Sequence, residues 1–337
     1  MPIDQTTQRK PIDHNPRVIV TRHLMPAVEQ RISELFDAKL NREDIPFTRE
    51  QLIAAMREAD VLVPTVTDRI DAAMIEQAGD QLKLIANFGA GIEHIDLEAA
   101  AKRKIIVTNT PGVFTDDTAD IAMSGIIGVP RRIREGVGLV RSGQWTGWAP
   151  SGLLGRKLGG KVLGIVGMGR IGQAVAHRAR AFGLEIAYTN RKRLPEAIER
   201  MVGARFVPDV DTLAAEADIL TLHCPLTDET RGMIDARRIS LMKPGSSIIN
   251  TARGELIDQE ALIVALQSGH LAGAGLDVYP DEPNVDQRLL DIPNVMTLPH
   301  IGSATAEGRE ASGEKVIANI RFWMDGHRPP DQVLIGL

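Results

Sequence analysis

Lys161-Val162-Leu163-Gly164-Ile165-Val166-Gly167-Met168-Gly169-Arg170-Ile171-Gly172 is the stretch on which the reading of this chain turns. Val162 to Val166 is a short, largely β-branched run that ends directly on Gly167, and Gln173 to Arg180 carries a helical pattern. The pattern G-x-G-x-x-G therefore sits between a strand and a helix, the setting in which it binds a dinucleotide instead of merely making a tight turn. Gly167 suits the turn, Gly169 lets the backbone approach a pyrophosphate, and Gly172 lets the helix lie close to the strand. The helix start then offers unpaired N–H groups and the positive end of its dipole to the phosphates.

Working outward, further strand patterns follow at Glu185–Thr189, Ile219–His223, Ser247–Asn250, Gly273–Asp277 and Val295–Leu298, alternating with helical stretches. Upstream, strands are expected at Arg17–Thr21, Val61–Thr65, Leu82–Asn87 and Ile105–Asn109, with a helix over Arg49–Glu58. The class is α/β with two doubly wound parallel-sheet domains: a Rossmann cofactor domain, a flavodoxin-like domain, and a cleft between them. Pro111 and Gly112 break the first series, which places 1–111 in the flavodoxin-like domain and 112–305 in the cofactor domain. The final helical stretch, Ala306 to Asp325, is expected to return to the first domain, completed by 306–337. A long apolar stretch from Thr118 to Leu139 is interrupted by Gly128 and Pro130, and a proline inside a helix should kink it.

With 337 residues, 43% hydrophobic and 25% charged, the chain is long enough for two ordinary α/β domains. A formal net charge of −5 argues against nucleic acid as a partner, and no apolar run is long enough to cross a membrane. One cysteine, Cys224, excludes an internal disulfide and a thiolate-rich metal cluster, and no metal is expected. Met1 to Asn15 is polar and lacks the apolar core of a signal peptide, so it reads as a loose tail and the protein as cytoplasmic.

The strand after the glycine loop ends at Tyr188 and Thr189, where an NAD-binding fold usually presents a carboxylate to the ribose hydroxyls. Here Asn190 follows, and then Arg191, Lys192 and Arg193. Three cations and no repelling carboxylate favour a 2′-phosphate, so NADP is expected, with NAD possible.

Several ordered segments carry a resemblance: Gly89-Ala90-Gly91, the glycine loop, His223-Cys224-Pro225-Leu226-Thr227, Asn250-Thr251-Ala252-Arg253-Gly254, Gly275-Leu276-Asp277-Val278, Asp281-Glu282-Pro283 and Pro299-His300-Ile301-Gly302-Ser303. With these, the chain resembles the D-isomer-specific 2-hydroxyacid dehydrogenase family, and within it glyoxylate/hydroxypyruvate reductases. The resemblance implies a nicotinamide-dependent reduction of a small 2-keto acid to the D-2-hydroxy acid by a homodimer. Carried over position by position, it implies Arg253, Glu282 and His300 as the catalytic set. His300 would donate the proton, Glu282 would pair with its imidazolium, and Arg253 would hold the substrate carboxylate and polarise the ketone. Ala90 and Gly91 would bind that carboxylate through backbone amides of the other domain, making domain closure part of turnover. Further cofactor contacts are implied at Thr118, Arg170, Ile171, His223, Pro225, Thr230, Thr251, Asp277 and Gly302, with Asp277 accepting from the carboxamide.

Some positions depart from the family pattern: Glu93 stands where aspartate is usual, and Asp120 where glutamate is common. Gly128 and Pro130 fall in the helix that the family uses to dimerise. Trp145 and Trp148 resemble a loop that reaches toward a partner subunit's pocket, or they simply pack within their own loop. Four other functions compete. A dinucleotide-sensing corepressor would bind cofactor without turnover. A formate dehydrogenase would carry glutamine at Glu282. A phosphoglycerate-type dehydrogenase would carry an appended regulatory domain, and none is expected here. Another D-2-hydroxyacid dehydrogenase would take a larger substrate.

Overall fold

A computed structural model describes residues 10–334, so the reading of Met1 to Arg9 as part of a tail lies outside the described residues. The chain forms two compact units, one running to Phe114 and resuming at Ala304, the other spanning Thr115–Ser303.

Among the described residues, the first unit holds a sheet of β1 (Arg17–Val20), β2 (Asp37–Leu40), β3 (Val61–Val63), β4 (Leu84–Ala86) and β5 (Ile106–Thr108). Its order is β2-β1-β3-β4-β5 and every pairing is parallel, the flavodoxin order. Alternation places Ile19, Leu62, Ile85 and Val107 on one face, and Val18, Val20, Val61, Val63 and Leu84 on the other. Both faces are covered by apolar side chains, as a parallel sheet requires. Helix Arg49–Glu58 begins on a capping box, with Thr48 and Gln51 each satisfying the other's backbone N–H. Helix Ala306–Met324 returns to this unit and buries Val316, Ile317, Ile320 and Trp323 on the second face. There Gly313 lies so close to Val28 that an added Cβ would come within 2.4 Å of it.

The second unit holds β6 (Val162–Val166), β7 (Glu185–Thr189), β8 (Ala204–Phe206), β9 (Ile219–Leu222), β10 (Ser246–Asn250), β11 (Leu271–Leu276) and β12 (Val295–Thr297). The order β12-β11-β10-β9-β6-β7-β8 is parallel throughout, with β6 at the point where the winding reverses. Ligands of such sheets bind beyond the carboxyl ends of the strands at that point, which is where the glycine loop lies. Two strands escape the sequence reading, β2 and β8, and both are edge strands.

Pro130 does more than kink a helix. The helix Thr115–Gly128 stops, Val129 to Arg132 form a turn with Arg132 at φ 56°, and a separate helix Ile133–Arg141 follows. Among the described residues no helix is long and apolar enough to cross a membrane, and no group of His, Cys, Asp or Glu is arranged to hold a metal ion.

Candidate active site

The glycine loop has the geometry its sequence calls for. Gly167 sits at φ 97°, and a Cβ there would fall 2.6 Å from the Cys224 N–H nitrogen. A Cβ on Gly172 would fall 2.3 Å from the Gly167 carbonyl oxygen, whereas one on Gly169 would meet nothing within 4 Å. Gly169 therefore faces open space, as a residue over which a pyrophosphate lies should. It caps helix Arg170–Ala181, whose first N–H groups, those of Arg170, Ile171 and Gly172, lie ahead of any intrahelical acceptor. At the other end of this region the Thr251 hydroxyl oxygen is buried without a hydrogen-bond partner, an orphan that a bound ligand can satisfy. Open glycine, free helix amides and orphan hydroxyl all fit a dinucleotide.

Asn190 is tied into this loop, its side-chain oxygen accepting from the Met168 N–H at 2.7 Å. Arg191 and Lys192 are exposed beside it. Arg193 departs from the expectation of three available cations. Its guanidinium makes two bonds of 2.8 Å to Glu199, which also accepts from the Tyr188 hydroxyl at 2.7 Å, and it stacks 5.6 Å over Phe206. Burial first, and then the Glu199 carboxylate, push the Tyr188 phenol up to about 12. Arg193 is a strut for the turn, and the 2′-phosphate reading rests on Arg191 and Lys192.

His300 follows β12 and takes φ 54°, a left-handed conformation uncommon outside glycine. Asp277, 1% exposed after β11, holds it there. Its two carboxylate oxygens accept from the Ile301 N–H at 2.8 Å and the Gly302 N–H at 2.7 Å. The Thr118 hydroxyl donates to the Gly302 carbonyl at 2.9 Å, tying the same turn to helix Thr115–Gly128. Asp277 and Thr118, implied as cofactor contacts, thus anchor the histidine turn, although each Asp277 oxygen keeps a lone pair for another donor. Burial raises the Asp277 carboxyl above the usual range despite the two N–H donors.

The His300 Nδ1 lies 2.7 Å from Glu282 Oε2, both side chains being about one-third accessible at 30% and 34%. The other Glu282 oxygen accepts from the Tyr279 N–H at 2.9 Å. Partial burial raises the Glu282 carboxyl, but the hydrogen bonds from His300 and Tyr279 and the charge of nearby Arg253 outweigh it and hold the group below its ordinary value. Glu282 is therefore an ionised partner that fixes the ring with Nε2 outward.

Arg253 is brought to this pair by its neighbours. Buried Asn250 donates to the Arg253 carbonyl at 2.8 Å and accepts from the Ala252 N–H at 3.0 Å, closing the loop after β10. Gly254 follows because a Cβ there would lie 2.1 Å from the Tyr279 carbonyl carbon, so backbone packs on backbone and the arginine loop abuts the Glu282 loop. His223, Pro225 and Thr230 lie after β9, with His223 hydrogen-bonded to Thr221 at 2.9 Å and the Thr230 hydroxyl donating to the Pro225 carbonyl at 2.8 Å. Burial takes the His223 imidazole down to about 4 and the Cys224 thiol up to about 11, so the neutral thiol is no nucleophile. In the first unit, Ala90 and Gly91 lie on the loop after β4, held by side-chain amides that the sequence reading missed. Amides bonded to nearby backbone leave no periodic signature by which to find them.

A seven-stranded doubly wound sheet, a glycine loop at its switch point and a His–Glu pair beside an arginine define a nicotinamide-dependent dehydrogenase. Residues 123–302 match the D-isomer specific 2-hydroxyacid dehydrogenase, NAD binding domain. A glyoxylate reductase of Thermococcus litoralis is 46% identical over 322 residues, covering 94% of this chain and 96% of that protein. A solved glyoxylate reductase from Paecilomyes thermophila superposes with a TM-score of 0.85 at 34% identity, covering 95% of this chain and 98% of that one. An NADPH-dependent glyoxylate/hydroxypyruvate reductase from Sinorhizobium meliloti, solved with NADP and malonate, gives 0.84 at 33% identity, covering 95% and 97%. The chain belongs to the D-isomer-specific 2-hydroxyacid dehydrogenase family, and its cofactor is a nicotinamide dinucleotide.

Proposed function

We propose that the chain reduces a small 2-keto acid of the glyoxylate or hydroxypyruvate type to the D-2-hydroxy acid, with NADPH preferred and NADH usable. The observation that carries this reading is the His300–Glu282 contact of 2.7 Å on a turn locked by Asp277. The reduced nicotinamide supplies the hydride. His300, oriented by ionised Glu282, gives a proton to the ketone oxygen as negative charge builds there. Arg253 engages the substrate carboxylate and polarises the carbonyl, and the loop carrying Ala90 and Gly91 in the first unit is a carboxylate-binding loop through its backbone amides. His223, Pro225 and Thr230 would hold the adenosine half, Thr118 would face the nicotinamide side, and Thr251 and Gly302 would add further contacts to the dinucleotide. The NADP preference rests on Asn190 in place of a carboxylate and on exposed Arg191 and Lys192.

A homodimer is proposed on separate grounds. Helix Ile133–Arg141 has no buried residue, and Ile133, Val137 and Val140, one face of it, are 47%, 50% and 60% exposed. Trp145 and Trp148 in the following loop are 57% and 84% exposed, so they do not pack within their own loop. Contiguous apolar surface of this kind marks a contact with another protein. The cytoplasm is the proposed compartment.

The test is loss of reduced-cofactor absorbance with glyoxylate, hydroxypyruvate and phenylpyruvate, using NADPH and NADH in turn. Turnover should be faster with NADPH. His300→Ala and Arg253→Ala should each lower kcat/KM by about a thousandfold or more while cofactor still binds. Cofactor binding with no turnover on any keto acid would favour the sensing protein instead.

A further inference from the structure

In the loop Gly89-Ala90-Gly91 every carbonyl is tied back. Asn87, only 1% exposed, gives one side-chain N–H to the Gly89 carbonyl at 3.1 Å and the other to the Gly91 carbonyl at 2.8 Å. The Thr110 backbone N–H adds a second bond to Gly89, at 3.0 Å. Asn109 donates to the Ala90 carbonyl at 2.7 Å. The His94 ring nitrogen Nε2, as donor, meets the Asn87 side-chain oxygen at 3.0 Å, which fixes which end of that amide faces the loop.

A trans peptide plane points its C=O and N–H in opposite directions. Fixing the carbonyls of residues 89, 90 and 91 therefore fixes the directions of the N–H groups of Ala90, Gly91 and Ile92, each opposite the carbonyl of its own peptide. None of these three donates to any backbone or side-chain acceptor among the described residues. With glycine at two of the three positions, these planes rotate at little steric cost, so side-chain bonds must supply the order that the backbone lacks. Consecutive unpaired amides turned to one side make an anion-binding concavity.

We propose that Asn87 and Asn109 are positioning residues for the substrate: their amides pin the loop carbonyls so that the N–H groups of Ala90, Gly91 and Ile92 present one row of donors to a carboxylate. The inference rests on the proposed role of this loop in holding the substrate, and adds Ile92 to it. Releasing a carbonyl lets its plane turn, replacing a donor with an acceptor that repels the anion. The effect falls on carboxylate binding and leaves the hydride and proton steps and the cofactor alone.

The experiment compares Asn109→Ala, Asn87→Ala and Ala90→Pro with the parent enzyme. It reads KM and kcat for glyoxylate, KM for glycolaldehyde, which lacks the carboxylate, the inhibition constant of oxalate and the fluorescence-monitored Kd of NADPH. Asn109→Ala, at a half-buried position, is the decisive variant should Asn87→Ala fail to fold. We expect KM for glyoxylate and the oxalate constant to rise about tenfold, kcat to change less than threefold, and glycolaldehyde and NADPH to be unaffected. A merely structural role would lower the melting temperature and leave that pattern absent. Unchanged KM and oxalate constant in folded Asn109→Ala would overturn the clamp. If Ala90→Pro, which deletes one of the amides, raises KM while the asparagine variants do not, the clamp falls and the carboxylate loop stands. If Ala90→Pro also leaves KM and the oxalate constant unchanged, both fall.

Discussion

His300 and Glu282 are bonded through one imidazole nitrogen, so the pair's charge state is shared. Glu282→Gln keeps the shape and removes the negative charge. Reduction should slow by about a hundredfold, because the ring loses the carboxylate that orients it. A turnover rate equal to the parent's would contradict the role given to Glu282. His223 supplies a pH dependence, on stability. Its pKa falls from an ordinary 6.5 to about 4 in the folded chain, so the unfolded chain binds more protons between those values. Its contribution is complete above about 6.5 and is lost as pH falls toward 4, on the order of 2 kcal/mol given its partial exposure. Denaturant titrations of His223→Gln across that window should show a shallower slope. The resemblance names the site residues one by one, and the structure brings Arg253, Glu282 and His300 together. Arg193 was misread for a physical reason. A cation's availability depends on what faces it, and Glu199 reaches it from the next helix.

Strands and helices read well wherever burial imposes a pattern. Helix Arg49–Glu58 and strand Glu185–Thr189 fall on their expected bounds, and the other central strands fall within two residues of theirs. The missed strands lack that imprint. In Asp37-Ala38-Lys39-Leu40 no residue is β-branched, and the strand pairs with β1 alone; Ala204-Arg205-Phe206 pairs with β7 alone. The break at Pro130 was visible, but its outcome was not, because whether a helix bends or restarts depends on what its far half can pack against. The restarted helix Ile133–Arg141 buries none of its residues, and its apolar stripe is left about half exposed. Val137→Glu on that stripe should convert a dimer to a monomer with its own fold kept. Sedimentation showing the same mass as the parent would place the dimer contact elsewhere.

Each of the two units closes apolar cores on both faces of its own sheet, and the dinucleotide loop belongs wholly to the second. Calorimetry should therefore resolve two transitions. NADPH at about a hundred times its Kd should raise one of them by roughly 5 to 10 °C, in line with about 2.7 kcal/mol of linkage. A single transition that shifts as a whole would show that the units melt together. The division of the sequence into two α/β units was legible from the alternation of elements. A return of the chain to the first unit is expected from residue 306, because a final helical stretch follows a sheet already complete, and the second segment of that unit begins at Ala304. That return has a consequence for synthesis on the ribosome. Helix Ala306–Met324 covers one face of the first sheet, yet it emerges after all of Thr115–Ser303 has been made. At typical elongation rates of about 5–20 residues per second, the earlier sheet waits roughly ten to forty seconds with Val18, Val20, Val61 and Val63 lacking that cover. During that interval the nascent chain offers chaperones an apolar face that the finished protein conceals.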